Sequence, residues 1–487
     1  VDQESAPIIE AIADYHRLDR YGFTPPGHRQ GRGTDPRVLD VMGRDPFRDD
    51  LLATGGLDDR KGSGSIIEQA QQLMAEAVGA EHAFFSTCGS SLSVKSAMLA
   101  VAGTSGEFIL GRDVHKSVVA GVVLAGFQPC WVHPRWDAEQ HLAHPPAPGD
   151  YEKALQDHPD AAGVLVTSPS PYGTCADLAE IARVCHTHDK PLVVDEAWGA
   201  HLPFHDELPT WAMDAGADVC VVSVHKSGAG FEQGSIFHLQ GERIDPAHLQ
   251  QCADLLATTS PNVLLYAAMD GWRRQMVQHG RQLLGDALRL ARRTRDALAE
   301  LPGVEVLEDR LLGVEASHDL DRLQILLDLH GLGISGFQAA DWLREHARID
   351  AHLPDQRHLV FQLSFADDDT TTGRLLEAMR GLIDAKLPPP PDVHLPRPQQ
   401  LELEQVCPPR AAFFGPTEQA PAAEAPGRIA AEQITPYPPG VPTVLPGERL
   451  TAEVIDYLRT GLDAGMTIPD AADSQLQSIR VVAEQRS

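Results

Sequence analysis

Two ionisable side chains stand out by where they fall in the chain. Lys226 closes an apolar run in DVCVVSVHKS and precedes Gly228-Ala229-Gly230. A lysine at a partly dry sheet edge has its charged form disfavoured, which frees its amine to form an imine with an aldehyde; an ordinary surface lysine after a strand leaves the same local pattern. Asp195 ends a second apolar run, in PLVVDEAWGAH. A carboxylate at the base of a crevice would hold a pyridinium N–H and keep that ring protonated, or else serve as a helix cap or half of an ion pair. CGSSLSVKSAML sets Gly89, Ser90 and Ser91 ahead of a helical stripe. Hydroxyls, backbone N–H groups and the positive end of a helix dipole together make an anion site suited to a phosphate, although an ordinary serine N-cap reads the same way. His115, in GRDVHKS, opens the next helix, where its imidazole would stack on an aromatic ring or cap the helix.

Taken jointly, these groups meet the needs of pyridoxal phosphate: an imine lysine, a carboxylate under the ring nitrogen, a phosphate cup and a stacking group. No metal site is expected. His201 and His205 are four apart, but Pro203 lies between them and the acid of H-E-x-x-H is missing. The seven cysteines (Cys88, Cys130, Cys175, Cys185, Cys220, Cys252 and Cys407) contain no C-x-x-C. Neither a disulfide framework nor a cysteine zinc site is supported, and a reducing cytoplasm is the expected location.

Elements that would carry these residues follow from the apolar pattern. Short runs at 82–87, 107–111, 163–168, 191–196 and 218–223 read as strands. Helix-like segments such as DLAEIARVC lie between them, and Ile67, Ala70, Met74 and Val78 form a helical stripe. Apolar strands alternating with helices predict an α/β chain with a mainly parallel sheet covered on both faces. Ligands bind such sheets beyond the C-terminal strand ends, where all the polar clusters above fall. Beyond Pro261 the pattern turns helical and then mixed, predicting a smaller α+β domain. LPPPPDVHLPRP reads as a stiff linker, and an amphipathic helix is expected from about Ala452. The boundaries expected are an arm at 1–60, a cofactor domain at 61–270, a small domain at 271–390 and a C-terminal domain at 391–487. The 487 residues are 43% apolar with a net charge of −29, which argues against a nucleic-acid partner. No apolar run approaches the roughly 20 residues needed to span a bilayer, and the acidic N-terminus lacks a signal-peptide pattern.

At these residues the sequence resembles the short-form Orn/Lys/Arg decarboxylases, which are fold-type-I (aspartate aminotransferase-like) pyridoxal-phosphate enzymes. FTPPGHRQGRG resembles the family's P-G-H-K-x-G element, and LDDRKGSGSIIEQAQ its L-D-D-L…G-x-I…A-Q stretch. HKS at 115–117 is the same as the family's H-K-S, and GSS at 89–91 is similar to G-T-S. DEAWGAH resembles D-E-A-H-G-A-H, and SVHKSGAGFEQGS resembles S-T-H-K…Q-G-S. TTSPNVLLYAAMD resembles T-S-P-S-Y…A-S-L-D. YPPGVPTVLPGE resembles Y-P-P-G-I-P…P-G-E and, with PPGH, is the most specific of the matches.

The resemblance implies that Lys226 carries the cofactor and Asp195 pairs with its ring nitrogen. Ala197 and His115 would sandwich the ring, and Ser90, Ser91, Ser223 and His225 would hold the phosphate. It also implies a homodimer with the site at the interface, so that Ser260 reaches the partner's phosphate; the wing domain of the family's large members is not expected, since only about 60 residues precede the first core helix. The implied reaction is decarboxylation of a basic L-amino acid, arginine or lysine before ornithine, with a place in polyamine biosynthesis. Aminotransfer, aldol-type cleavage, oxidative decarboxylation or deamination, and a non-catalytic binding protein of the same fold are the rival readings. Three departures stand out: Trp198 replaces the usual His; SPSPYG at 168–173 differs from T-x-P-T-Y-x-G, which bears on the hydroxyl near the cofactor's phenolic oxygen; and His352 stands where many members have Glu, which bears on substrate identity.

Overall fold

The computed structural model describes residues 2–53, 57–58, 65–102, 106–393, 400–437 and 440–484. Asp59–Gly64 of the LDDRKGSGS stretch, residues 394–399 of the proline-rich linker, and Pro438 and Pro439 lie outside the described residues. The chain forms two compact units, Val1–Ala100 with Pro191–Leu283, and Val101–Lys190 with Leu284–Ser487.

In the first unit the strands His82–Ser86, Leu192–Asp195, Val219–Ser223 and Ser235–Leu239 lie in the order 82–86, 235–239, 219–223, 192–195. The last two pair in parallel, with Val193 opposite Val219 and Asp195 opposite Val221. All residues of 192–195 and 219–223 are buried, the mark of strands covered on both faces. Strand 235–239 is absent from the sequence expectation and runs antiparallel to both neighbours. The glycine-rich link at 228–234 is too short for a crossover helix, so the chain turns straight back. Helix Ile66–Val78 buries Ala70, Leu73, Met74 and Val78, with Ile67 of the expected stripe half-buried. From this helix Gln71 Oε1 accepts the backbone N–H of Phe85 on the outermost strand at 2.8 Å. The amino-terminal segment is tied down by Arg273, wholly buried and paired with Asp270 at 3.0 Å. Arg273 also donates to the carbonyls of Gln3 and Ser5, and Asp270 accepts from Ile8 N–H.

In the second unit strand Glu107–Gly111 is flanked in parallel by Gln128–Val132 and Val164–Thr167. Helices Lys116–Ala125 and Pro148–Asp157 make the crossovers, and helix Leu178–Thr187, the DLAEIARVC segment, is capped by Asp177 on Glu180 N–H. A four-stranded antiparallel sheet follows, in the order 305–307, 324–328, 358–362, 353–354, with helix Asp369–Ala385 after it. The last segment has its own apolar cluster, including Ile434, Val444, Val454, Leu458 and Ile479. Its helix begins at Ala452, as the sequence predicts, behind a Thr451 cap on Val454 N–H. Among the described residues no helix is long and apolar enough to cross a membrane.

Candidate active site

The strand Val219–Ser223 passes without a loop into a single helical turn, Val224–Ser227, which leaves Lys226 half-buried just past the strand end. Burial pushes its ammonium below the ordinary lysine range, and the charge of Asp195 opposes that shift. Asp195, only 4% exposed, ends the neighbouring parallel strand. Burial raises its carboxyl, while Lys226 and the N–H of Ala197, 3.3 Å from Oδ1, pull it back. A carboxyl so buried is stabilised as an anion chiefly by a cationic neighbour. The ring of Trp198 faces the lysine, with Nζ 3.8 Å from its centroid.

Register aligns Ser86, Ser235 and Ser223 across three adjoining strands. Ser235 donates to Val222 O at 2.8 Å and shares a 3.0 Å hydrogen bond with Ser93, while Ser86 Oγ accepts from Cys88 N–H. The hydroxyl of Ser223, fully buried, and that of Ser227 have no hydrogen-bond partner among the described residues. Buried hydroxyls in that condition are expensive, and a group rich in acceptor oxygens beside Lys226 would satisfy them. Ser90 and Ser91 occupy the first turn of helix Gly89–Ala102. It is entered through Gly89 at φ +76°, whose N–H donates to Gln233 O at 2.9 Å. His225 Nδ1 lies 3.3 Å from Gly234 O, and burial lowers its imidazole. Ala197 is buried, and its carbonyl accepts from Ser223 N–H. The residues present therefore fit pyridoxal phosphate: an amine of depressed basicity, a buried carboxyl one strand away, and unsatisfied hydroxyls beside a helix start.

Seven of the nine sequence-predicted residues thus belong to the strand ends of the first unit: Ser90, Ser91, Asp195, Ala197, Ser223, His225 and Lys226. Ser260, in the same unit, stands on an exposed stretch between helices 246–256 and 263–299, its N–H donating locally to Thr258 Oγ1 at 3.1 Å. His115 belongs to the second unit, where it caps helix 116–125. Its Nδ1 accepts from Ser117 N–H at 3.2 Å and lies 2.9 Å from Ser117 Oγ. In SPSPYG, Ser168 Oγ accepts from Ala176 N–H, Ser170 pairs with Thr174, and Tyr172 donates to Asp355 at 2.8 Å. His205 Nδ1 accepts from Glu207 N–H. In the second unit Glu107, Cys130 and His158 bring ligand-type atoms within 4.8 Å of one another; His158 Nδ1 lies 3.4 Å from Glu107 Oε1.

Sequence reasoning missed Ser227, although it adjoins the lysine. It also missed Glu196, which is fully buried and pushed by burial up to about 8. Glu196 accepts from Ala212 N–H at 3.1 Å and from the Cys220 thiol at 3.1 Å, pinning the loop that carries Trp198. Gly199 is demanded there, because a Cβ would meet Glu196 Cγ at 2.4 Å.

Comparison with known proteins shows the family. Residues 6–315 match the model of the Orn/Lys/Arg decarboxylase major domain, and residues 402–474 that of the Orn/Lys/Arg decarboxylase C-terminal domain. The chain is 36% identical to the arginine decarboxylase of Bacillus subtilis, over 100% of both chains. It is 35% identical to that of Halalkalibacterium halodurans, over 99% of this chain and 98% of the other. Among solved structures, the constitutive lysine decarboxylase of E. coli superposes with a TM-score of 0.81 at 21% identity, covering 99% of this chain and 82% of that one. At that identity the superposition speaks for the fold, in keeping with the aspartate aminotransferase-like architecture read from the sequence.

Proposed function

The chain belongs to the Orn/Lys/Arg decarboxylase family and is a pyridoxal-phosphate-dependent decarboxylase of a basic amino acid; from this premise we propose that its substrate is L-arginine and that the Lys226 rim is its active site. The observation that carries the site is the pairing of a buried Asp195 with a Lys226 of depressed basicity on adjoining strand ends, beside two unsatisfied hydroxyls. The choice of arginine rests on the relatives at 36% and 35% identity, both arginine decarboxylases.

Bound at this rim, pyridoxal phosphate supplies an electron sink for the pair left behind when the substrate carboxylate departs as CO2. Lys226 would hold the cofactor covalently through its Nζ and would carry a proton at that same atom. Burial favours the uncharged amine that the first of these roles requires. Asp195 keeps a proton on the ring nitrogen. Ser90, Ser91, Ser223, His225 and, newly, Ser227 would bind the phosphate; Ala197 would back the ring, and His115 is the stacking group the family resemblance implies. In this reading the enzyme is a cytoplasmic homodimer, with Ser260 reaching the partner's phosphate, consistent with its exposed position.

The test is product analysis with purified protein on arginine, lysine and ornithine. CO2 and agmatine in equal amounts, with arginine turned over fastest, is the expected result, and Lys226→Ala should abolish both. Predominant keto acid or peroxide, or full activity in Lys226→Ala, overturns the reading.

A further inference from the structure

The C-terminal segment carries the most specific of the sequence motifs, YPPG…PGE, yet nothing in the chemistry above uses it. Within the second unit it grips the residues on either side of His115. Arg112, three residues before that histidine, continues the central strand by donating its backbone N–H to Val132 O at 2.8 Å. Its guanidinium lies over the Trp131 ring, 5.3 Å from the centroid. From there it donates to Pro442 O at 2.6 Å and Thr443 O at 3.2 Å, and lies 3.4 Å from Glu448 Oε1. The Glu448 side chain is 2% exposed, and its other oxygen accepts from Leu445 N–H at 2.8 Å. Lys116, one residue after His115, projects over the Tyr437 ring at 5.1 Å. The turn that presents Glu448 needs its glycine: Gly447 has φ +90°, and a Cβ there would meet Cys407 O at 2.2 Å.

A buried ion pair is a poor way merely to fasten two segments, since its desolvation cost offsets most of its attraction. What a forked guanidinium held by two carbonyls and a carboxylate does provide is a fixed direction. The segment also has a second attachment that is plain fastening. Arg410 donates to Val123 O at 3.1 Å and Leu124 O at 2.8 Å, at the far end of the same helix 116–125.

We propose that the C-terminal motif is a clamp on the His115 loop, in which Glu448 through Arg112, and Tyr437 through Lys116, are positioning residues that set the direction of His115. The proposal rests on the stacking role of His115 given above.

The two attachments permit a controlled test on the holoenzyme, read by the visible circular dichroism of the bound cofactor and by its dissociation constant. Glu448→Gln, nearly isosteric, should change the dichroism and weaken cofactor binding about tenfold, the scale of one charged hydrogen bond; Glu448→Asp should recover part of both. Arg410→Ala should lower the melting temperature comparably and leave the dichroism as it was. Tyr437→Leu, which spares the buried pair, should act in the same direction as Glu448→Gln and serves if that variant does not fold. Changes in His115→Ala, with none in Glu448→Gln or Tyr437→Leu, overturn the clamp alone. No change in His115→Ala overturns the stacking role, and the clamp falls with it. Equal dichroism changes in Arg410→Ala also overturn the clamp, because they reduce it to general fastening.

Discussion

The Nζ atom of Lys226 lies 3.8 Å from the centroid of the Trp198 ring. An indole face stabilises an ammonium and does little for a neutral amine, so the Trp198 ring, like the charge of Asp195, works against the burial that lowers this lysine's basicity. Losing the ring should leave the amine uncharged at lower pH. In Trp198→Leu the pH profile for covalent attachment of pyridoxal phosphate to the cofactor-free protein should therefore move toward acid. Turnover should change by about fivefold, the scale of a 1 kcal/mol cation–π contact. An unmoved profile would show that the ring is not felt by the lysine.

Asp195→Asn keeps the size of the side chain and removes its charge. Turnover should fall by about 10²-fold or more, as when one preorganised electrostatic group is taken from a site. Borohydride should still fix the cofactor to Lys226, because attachment needs the amine and not the carboxylate. Wild-type turnover in Asp195→Asn would remove this carboxyl from the mechanism.

Burial pushes Glu196 up to about 8 from its ordinary 4.5. The folded protein keeps a proton that the unfolded chain releases above pH 4.5, so this group's contribution to stability declines as pH rises from 4.5 toward 8. Glu196→Gln, which does not titrate, should flatten the stability profile across that window. Urea unfolding at several pH values measures it, and identical slopes for both proteins would contradict the assignment.

Arg273 and Asp270 form a buried pair that also holds the carbonyls of Gln3 and Ser5. Arg273→Ala strands a buried carboxylate and should cost about 3–5 kcal/mol. Arg273→Met together with Asp270→Leu should cost much less, because no buried charge is then left alone. Denaturant midpoints compare the two, and equal losses would mean that packing rather than charge holds this corner.

Much of the site was readable before any coordinates because its chemistry is placed by backbone. Lys226 and Asp195 end uninterrupted apolar runs, and a parallel sheet brings such ends to one rim. Strand 235–239 escapes the sequence pattern because FEQGSIFHL follows a glycine-rich loop, and its antiparallel return breaks the strand–helix alternation. Ser227 was within reach, one residue from the lysine. The unsatisfied state of its hydroxyl was not, since that depends on what surrounds it. Arg112 and Glu448 are 336 residues apart, a pairing no local pattern can announce. Of the two alternatives the sequence leaves for His115, the cap on Ser117 is the one its hydrogen bonds show.

The hydrogen bond from Phe85 to Gln71 has a consequence for the protein's behaviour at high concentration. An outermost strand normally offers a row of open amide groups to which another copy can add a strand of its own. Here a helix side chain already occupies one of those groups, at the fourth residue of a five-residue strand, so that amide is closed to an added strand without recourse to charge or proline. Replacing Gln71 with leucine would reopen it, and the cost would surface as precipitation during overproduction rather than as lost catalysis.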